Sequence, residues 1–517
     1  MNFSTKLHET AKYDGSKIAY YFKDESSTYA ELNQAITQFA SGLEQLGVKK
    51  GDHIALLLDN SPQFVISLHG AFRLGATVIP INPIYTADEI GYILDNGDVK
   101  AVVALKSLIP ILAKKQTFLP KVGHYVYVDT EEKTEDLQGL SIYPKLKSFT
   151  SLLAFGNLDF QEPEMDEDDV AVILYTSGTT GKPKGAMLTH KNLYSNAMDV
   201  SHDLKITSDD IIITVLPMFH VFCLTDCLNS AIICRAAMLI VPRFSPREIF
   251  RLGKKYQPTI FFGVPTMFNF LNQFSEGNPE DLASLRLCFS GGASLPVSLL
   301  RNFEKKFNVV ILEGYGLSEA SPTTTFNPLD RERKPGSIGT SISHVENKVV
   351  NEFGEEVPVG EVGELIVRGP NVMKGYYKMP EETNRVLKDG WLYTGDLARM
   401  DGDGYFYIVD RKKDLIIVGG YNVYPREVEE VFYHHPDIVE AAVFGVPDSD
   451  RGEAVVAYVV TKDPYITAEQ LHDYCKEHLA KYKLPSAIEI IGELPKSGTG
   501  KILRRALKEQ LVEKVAL

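Results

Sequence analysis

Residues 171–185 read Ala-Val-Ile-Leu-Tyr-Thr-Ser-Gly-Thr-Thr-Gly-Lys-Pro-Lys-Gly. Four apolar residues make a short buried strand. The eleven residues that follow hold four Ser/Thr hydroxyls, three glycines and two lysines. Glycine lets backbone N–H groups approach an anion closely, and hydroxyl and ammonium groups add further donors. This loop suits a phosphate, and it is not a Walker A loop. That motif needs a Gly five residues before its Gly-Lys pair, then Ser or Thr and a helix. Here Thr176 stands at that place and Pro183 follows Lys182, so the chain cannot run on into a helix. A polar surface loop is the competing reading, and two lysines at this spacing weigh against it.

Outward from this loop, short apolar runs alternate with helical periodicity. Residues 53–58, 76–81, 99–104, 237–241, 259–262 and 309–312 read as strands, and 62–73 as a helix. Runs apolar throughout point to a mainly parallel sheet covered on both faces. After about residue 335 the pattern changes to strands separated by Gly-rich turns, 364–368 and 405–409, which predicts a small β-rich lobe. A charged run, Asp410-Arg411-Lys412-Lys413-Asp414, precedes a helix (425–434), strands (439–444, 454–460), a helix (468–480) and a strand near Ile488. The fold class is therefore α/β. A large N-terminal domain, 1–410, has parallel-rich sheets wrapped by helices plus the β-rich lobe. A small α+β domain, 411–517, follows it.

With 517 residues, more than one domain is expected. An apolar share of 44% with 24% charged residues fits a folded chain and excludes general disorder. The net charge of −14 argues against a nucleic-acid polymer as partner, though local lysines can still hold anions. Five cysteines without a repeated spacing exclude a disulfide framework. Cys223 and Cys227 lack the second ligand pair that zinc needs. The N-terminus has no apolar core of a signal peptide, and the run 211–225 is broken by Pro217 and His220. A cytoplasmic protein is expected.

Four more segments carry chemistry. Residues 313–319 read Glu-Gly-Tyr-Gly-Leu-Ser-Glu after a strand, where Tyr315 offers a ring to a base and Glu319 a carboxylate to Mg²⁺. Ser290-Gly291-Gly292-Ala293-Ser294 on its own reads as a turn. In Trp391-Leu392-Tyr393-Thr394-Gly395-Asp396 the last residue could accept ribose hydroxyls or cap a turn. In Pro495-Lys496-Ser497-Gly498-Thr499-Gly500-Lys501 the terminal lysine could meet developing charge, or begin a solvated helix over 501–511. His220, within Leu216-Pro217-Met218-Phe219-His220-Val221-Phe222, reads either as a core histidine or as a gate beside an apolar pocket.

In this order, from about Tyr29 to Arg505, these segments resemble the adenylate-forming superfamily of acyl-CoA synthetases, firefly-type luciferases and peptide-synthetase adenylation domains. Finer phrases, LPMFHVFCLT, GVPTMFNF, SGGASLP and GGYNVYPREVE, are similar to Bacillus-type long-chain fatty-acid–CoA ligases. The resemblance implies a ligase that joins a fatty acid to coenzyme A through an acyl-AMP, with ATP and CoA as co-substrates and Mg²⁺ as cofactor. It implies that Thr176, Ser177, Gly178, Thr179, Thr180, Gly181, Lys182 and Lys184 hold the β- and γ-phosphates, with Thr176 and Glu319 at the metal. Gly292, Ala293, Glu313, Gly314, Tyr315, Gly316, Ser318 and Ile408 would border the nucleotide, and Asp396 and Arg411 would hold its ribose. Lys501 would bridge the carboxylate and the α-phosphate. His220 would sit between the acyl pocket and the CoA tunnel. Phe219, Val221, Phe222, Gly263, Val264, Met267 and Gly291 would line the acyl slot. Lys413 matches the hinge, and Gly419 and Gly420 the pantetheine tunnel. Many relatives have Thr where this chain has Ser318, and both carry a hydroxyl. A medium-chain or aryl acid, or a carrier protein as acceptor, stays open, as do a homodimer and peripheral membrane contact.

Overall fold

The continuous apolar runs become central strands because both faces of each large sheet are covered. The computed structural model describes residues 3–115, 119–129, 137, 139–176, 183–448, 450–496 and 502–516. Among these, two large sheets form. The first runs Gly375–Tyr376, Lys184–Thr189, Val170–Thr176, Thr77–Pro80, His53–Leu57, Val99–Leu105, His124–Val128, Leu146–Ser148. The second runs Thr340–Ser341, Thr323–Phe326, Val310–Gly316, Leu287–Ser290, Ile260–Gly263, Ile211–Thr214, Ala237–Ile240, Ile18–Phe22, Glu25–Thr28. Both are parallel at the centre and antiparallel toward an edge. Ile54 and Leu56 face a core shared with Ile212, Phe262 and Leu312 of the other sheet, whereas Ala55 and Leu57 face a second core outside. Ile213, Phe261 and Cys288 likewise face a third. Strict alternation with burial on both sides leaves no polar face.

Helices Tyr29–Gln45, Pro62–Leu74 and His190–Asp203 contribute to the shared core. Thr28 and Thr189 start the first and last of these with capping boxes, and Ser61 with Pro62 starts the middle one. The capping box at Thr189 takes the chain from the strand Lys184–Thr189 straight into the helix, so the sequence after the phosphate loop is strand first and helix second.

The lobe expected after residue 335 is an antiparallel sheet of Glu346–Val350, Gly363–Arg368, Trp391–Met400, Leu387–Lys388 and Phe406–Arg411. The chain leaves it at Arg411 and enters another sheet at Ile416. That sheet holds Tyr421–Val423, Ile416–Val418, Gly452–Thr461, Ile438–Asp448 and Ala487–Ile490. Its core of Ile416, Val423, Phe432, Ala457 and Leu471 is separate from the others. The helix expected over 501–511 is described from Arg504 to Ala516, and Lys501 lies outside the described residues. Among the described residues no helix is long and apolar enough to cross a membrane.

One stretch departs from regular geometry. Residues Cys223–Asn229 form a π-helical turn, wholly buried, that contains Asp226. Such turns recur at functional sites. Cys223 and Cys227 lie inside it, and among the described residues no cluster of three or more His, Cys, Asp or Glu could hold a metal ion.

Candidate active site

Parallel pairing brings Gly263, Ser290 and Glu313 level at the carboxyl ends of three adjacent strands. Ligands bind where such strands end. Beyond these ends lies a solvent-open cleft with a cavity volume of about 60 Å³. His220, Val221 and Phe222 line one side, Phe289, Gly291 and Gly292 the floor, and Gly314, Tyr315, Gly316, Leu317 and Ser318 the other side, with Pro322 and Thr323. At Gly314 a side chain is excluded outright, because an added Cβ would lie 2.3 Å from the Phe289 ring. An added Cβ at Gly291 would sit 3.1 Å from Phe222.

Nine of the residues singled out from the sequence therefore meet in one cleft: His220, Val221, Phe222, Gly291, Gly292, Gly314, Tyr315, Gly316 and Ser318. Others do not line it. Ala293 is exposed beside Gly292. The Glu313 carboxylate instead accepts the Gly336 N–H at 3.0 Å, and burial raises its pKa to about 7. Phe219 and Met267 pack against the shared core, Val264 belongs to it, and Gly263 is buried. The Phe222 ring, which lines the cleft, packs edge-on against Phe262 at 6.1 Å and beside Phe289 at 5.9 Å. Ile408 packs with Tyr315 against the small lobe core of Val349, Leu365, Ala398 and Phe406.

The cleft wall continues into the lobe. Strand pairing sets Asp396 opposite Arg411. The Tyr315 hydroxyl donates to Asp396 Oδ2, and Arg411 Nε lies 3.4 Å from Oδ1. Burial, then the Asp396 charge, pushes the Tyr315 hydroxyl well above its ordinary range, so it stays a donor. Each carboxylate oxygen has a second lone pair left for a ribose hydroxyl. At His220, Nδ1 accepts the Phe222 N–H at 3.3 Å, which leaves the proton of the neutral ring on Nε2.

Thr176 and Lys184 face each other across the hairpin whose tip carries the phosphate loop. Ser177, Gly178, Thr179, Thr180, Gly181 and Lys182 lie outside the described residues. Lys184 is nearly buried and forms an ion pair with Glu382. Glu319 accepts the Tyr376 hydroxyl on Oε1 at 2.8 Å, and among the described residues Oε2 takes no hydrogen bond. A lone carboxylate with one uncommitted oxygen suits Mg²⁺, which takes one or two carboxylates and completes its shell with phosphates and water. Lys413 is exposed in the turn between the lobe sheet and the C-terminal sheet. Gly419 and Gly420 form an exposed hairpin turn away from the cleft lining. The bridge Lys496–Ile502 closes the loop whose residues 497–501 lie outside the described set.

Phe289, Leu317, Pro322 and Thr323 line the cleft without having been read from the sequence. Phe289 was within reach, because it immediately precedes the Ser290-Gly291-Gly292 segment on a strand that points into the site. Nothing local marks Tyr376 or Glu382.

Residues 7–377 match the AMP-binding enzyme family and residues 427–501 the AMP-binding enzyme C-terminal domain. A long-chain fatty-acid–CoA ligase of Bacillus subtilis (strain 168) is 40% identical over 98% of this chain and 94% of its own length. The structure of ATP-bound MatB from Rhodopseudomonas palustris superposes with a TM-score of 0.91 at 33% identity, covering 99% of both chains. Apo MatB, with the same identity and coverage, gives 0.80. An o-succinylbenzoate CoA synthetase from Bacillus subtilis, in complex with ATP and magnesium, gives 0.85 at 31% identity, covering 97% of this chain and 99% of that one.

Proposed function

This chain belongs to the AMP-binding enzyme family and is an AMP-forming acyl-CoA synthetase, an acid–thiol ligase, and we propose that its acid is a long-chain fatty acid. The observation that carries this reading is the 40% identity over nearly the whole chain to a long-chain fatty-acid–CoA ligase. The apolar end of the cleft, Val221, Phe222 and Phe289, agrees with it.

The reaction needs no protein nucleophile. The fatty carboxylate attacks the α-phosphorus of ATP in line, the bond to pyrophosphate breaks, and acyl-AMP remains. The CoA thiolate then attacks the acyl carbonyl and AMP leaves. Two anions meet in the first step, so positive charge must offset their repulsion. Lys182 and Lys184, with the hydroxyls and N–H groups of 176–181, take the β- and γ-phosphates. Thr176 and Glu319 would hold Mg²⁺, which when bound would supply positive charge to offset that of the phosphates. Tyr315 stacks on adenine beside Gly292, Ala293 and Ile408, and Asp396 with Arg411 holds the ribose. Lys501 contacts the carboxylate and α-phosphate during adenylation. His220 stands between acyl slot and thiol tunnel.

The two steps want different groups at one carbon, so 411–517 turns against 1–410 about Lys413 and brings Gly419 and Gly420 to the tunnel. The higher TM-score to ATP-bound than to apo MatB supports an arrangement close to the nucleotide-bound one. ATP and CoA as co-substrates favour the cytoplasm.

A medium-chain or aryl acid is the second reading, favoured by the aromatic wall that Phe222 and Phe289 set across the cleft. AMP release from ATP, with and without CoA, across saturated acids from acetate to stearate and a set of aryl acids, tests both. CoA-dependent release that peaks at long chains supports the first. A peak at short or aromatic acids keeps the chemistry and overturns the substrate.

A further inference from the structure

Two groups meant for the phosphates and their metal, Lys184 and Glu319, are joined in this structure by one side chain that neither the motifs nor the mechanism uses. The strand Gly375–Tyr376 pairs antiparallel with Lys184–Thr189, and Tyr376 lies opposite Ala186. Lys184 and Ala186 share a face of their strand, so Tyr376 is the diagonal neighbour of Lys184, within reach of a long side chain. The Lys184 ammonium lies 5.4 Å from the centre of the Tyr376 ring. At its far end the same ring gives its hydroxyl hydrogen to Glu319 Oε1 at 2.8 Å.

The backbone that carries the ring is held by three hydrogen bonds. Met187 and Gly185 carbonyls accept the N–H groups of Lys374 and Tyr377 at 2.9 and 2.8 Å, and Thr383 Oγ1 accepts the Tyr376 N–H at 2.9 Å. Glu319 is tied to the same segment through its carbonyl, which accepts the Met373 N–H at 2.8 Å. The side chain of Glu319 is thus anchored on the strand Gly375–Tyr376 and its backbone on Met373 just before it.

We propose that Tyr376 is the positioning residue of the metal carboxylate: its hydroxyl fixes one oxygen of Glu319, which leaves the other aimed at the cation, and its ring seats the Lys184 ammonium beside the same phosphates. This rests on the reading of Glu319 as the Mg²⁺ carboxylate. Partners that orient a metal ligand are worth about 10–100-fold in metal affinity.

Mn²⁺ binding to the full chain in the presence of a non-hydrolysable ATP analogue, read by the loss of the free-ion EPR signal, needs no turnover. Tyr376→Phe keeps the ring over Lys184 and removes only the donor. We expect Mn²⁺ to bind about tenfold more weakly, while the analogue binds unchanged without metal. Mn²⁺ affinity within twofold of the parent, when Glu319→Gln weakens it, would overturn the role of Tyr376 and leave the carboxylate reading intact. No loss in Glu319→Gln would overturn both. Should Tyr376→Phe not fold, 3-fluorotyrosine at 376 gives a second readout. Its ¹⁹F resonance should move when Mg²⁺ joins the analogue complex, and a resonance that stays put sinks the proposal.

Discussion

Asp226 sits in the π-helical turn with no exposed surface, and among the described residues its carboxyl takes one hydrogen bond, on Oδ2, from the Thr323 hydroxyl at 2.8 Å. Burial raises its pKa from 3.8 to about 8, against the smaller opposing effect of that hydrogen bond. The carboxyl is therefore neutral at pH 7 in the folded chain and charged when the chain unfolds. The sign follows from linkage. Below the unfolded value of 3.8 both states hold the proton and Asp226 costs nothing. Between 3.8 and about 8 the unfolded state gains by releasing it, so folding loses stability as pH rises, and the loss levels off above 8. One pKa unit is about 1.4 kcal/mol, so the full loss is on the order of 5 kcal/mol, an upper figure for a site this dry. Asp226→Asn keeps an acceptor for Thr323 and has no charge to lose. We expect the variant to match the parent near pH 4 and to melt several degrees higher at pH 8, in thermal unfolding of the full chain across a pH series. Parallel melting curves for the two proteins from pH 4 to pH 8.5 would refute the argument, because the carboxyl would then feel no more burial than an exposed one.

Two further outcomes follow from the cleft. Gly291→Ala puts a methyl 3.1 Å from the Phe222 ring, so the acid giving the fastest AMP release should become shorter by a few carbons, each buried methylene contributing about 0.8 kcal/mol; an unmoved chain-length profile removes Gly291 from the acyl slot. Lys501→Ala should abolish pyrophosphate release yet still convert supplied acyl-AMP and CoA into thioester, and equal loss of both steps would end the assignment of Lys501 to adenylation alone.

Strands such as Ala237–Ile240 and Ile260–Gly263 were legible because burial on both faces leaves an unbroken apolar run, and no polar alternation can shift it. The strand pair Ile18–Phe22 and Glu25–Thr28 was not. Its second member is Glu-Ser-Ser-Thr, and its first pairs with Ala237–Ile240, far along the chain. The glycines of the cleft read alone as turns and entered only through the family resemblance; the reason for Gly314, that an added Cβ would lie 2.3 Å from Phe289, needs the packing. Tyr376 gave no sign. Its importance arises from a strand pairing with residues almost two hundred positions earlier, and the local pair Tyr376-Tyr377 carries no pattern of its own. Asp226 ended the apolar run in the sequence reading, since an aspartate normally marks the surface. Here the π-turn carries it inside.

The pairing of Ile18–Phe22 with Ala237–Ile240 also sets a timetable. A ribosome adding roughly 5–20 residues per second releases the first strand some tens of seconds before its partner exists. In that interval Ile-Ala-Tyr-Tyr-Phe has one edge covered by Glu25–Thr28 and the other bare. The sheet that ends in the cleft can close only after more than two hundred residues have been made. The nascent chain must keep an aromatic edge strand out of trouble for that long, and the polar Glu-Ser-Ser-Thr partner, which presents no apolar surface of its own, guards half of it from the start.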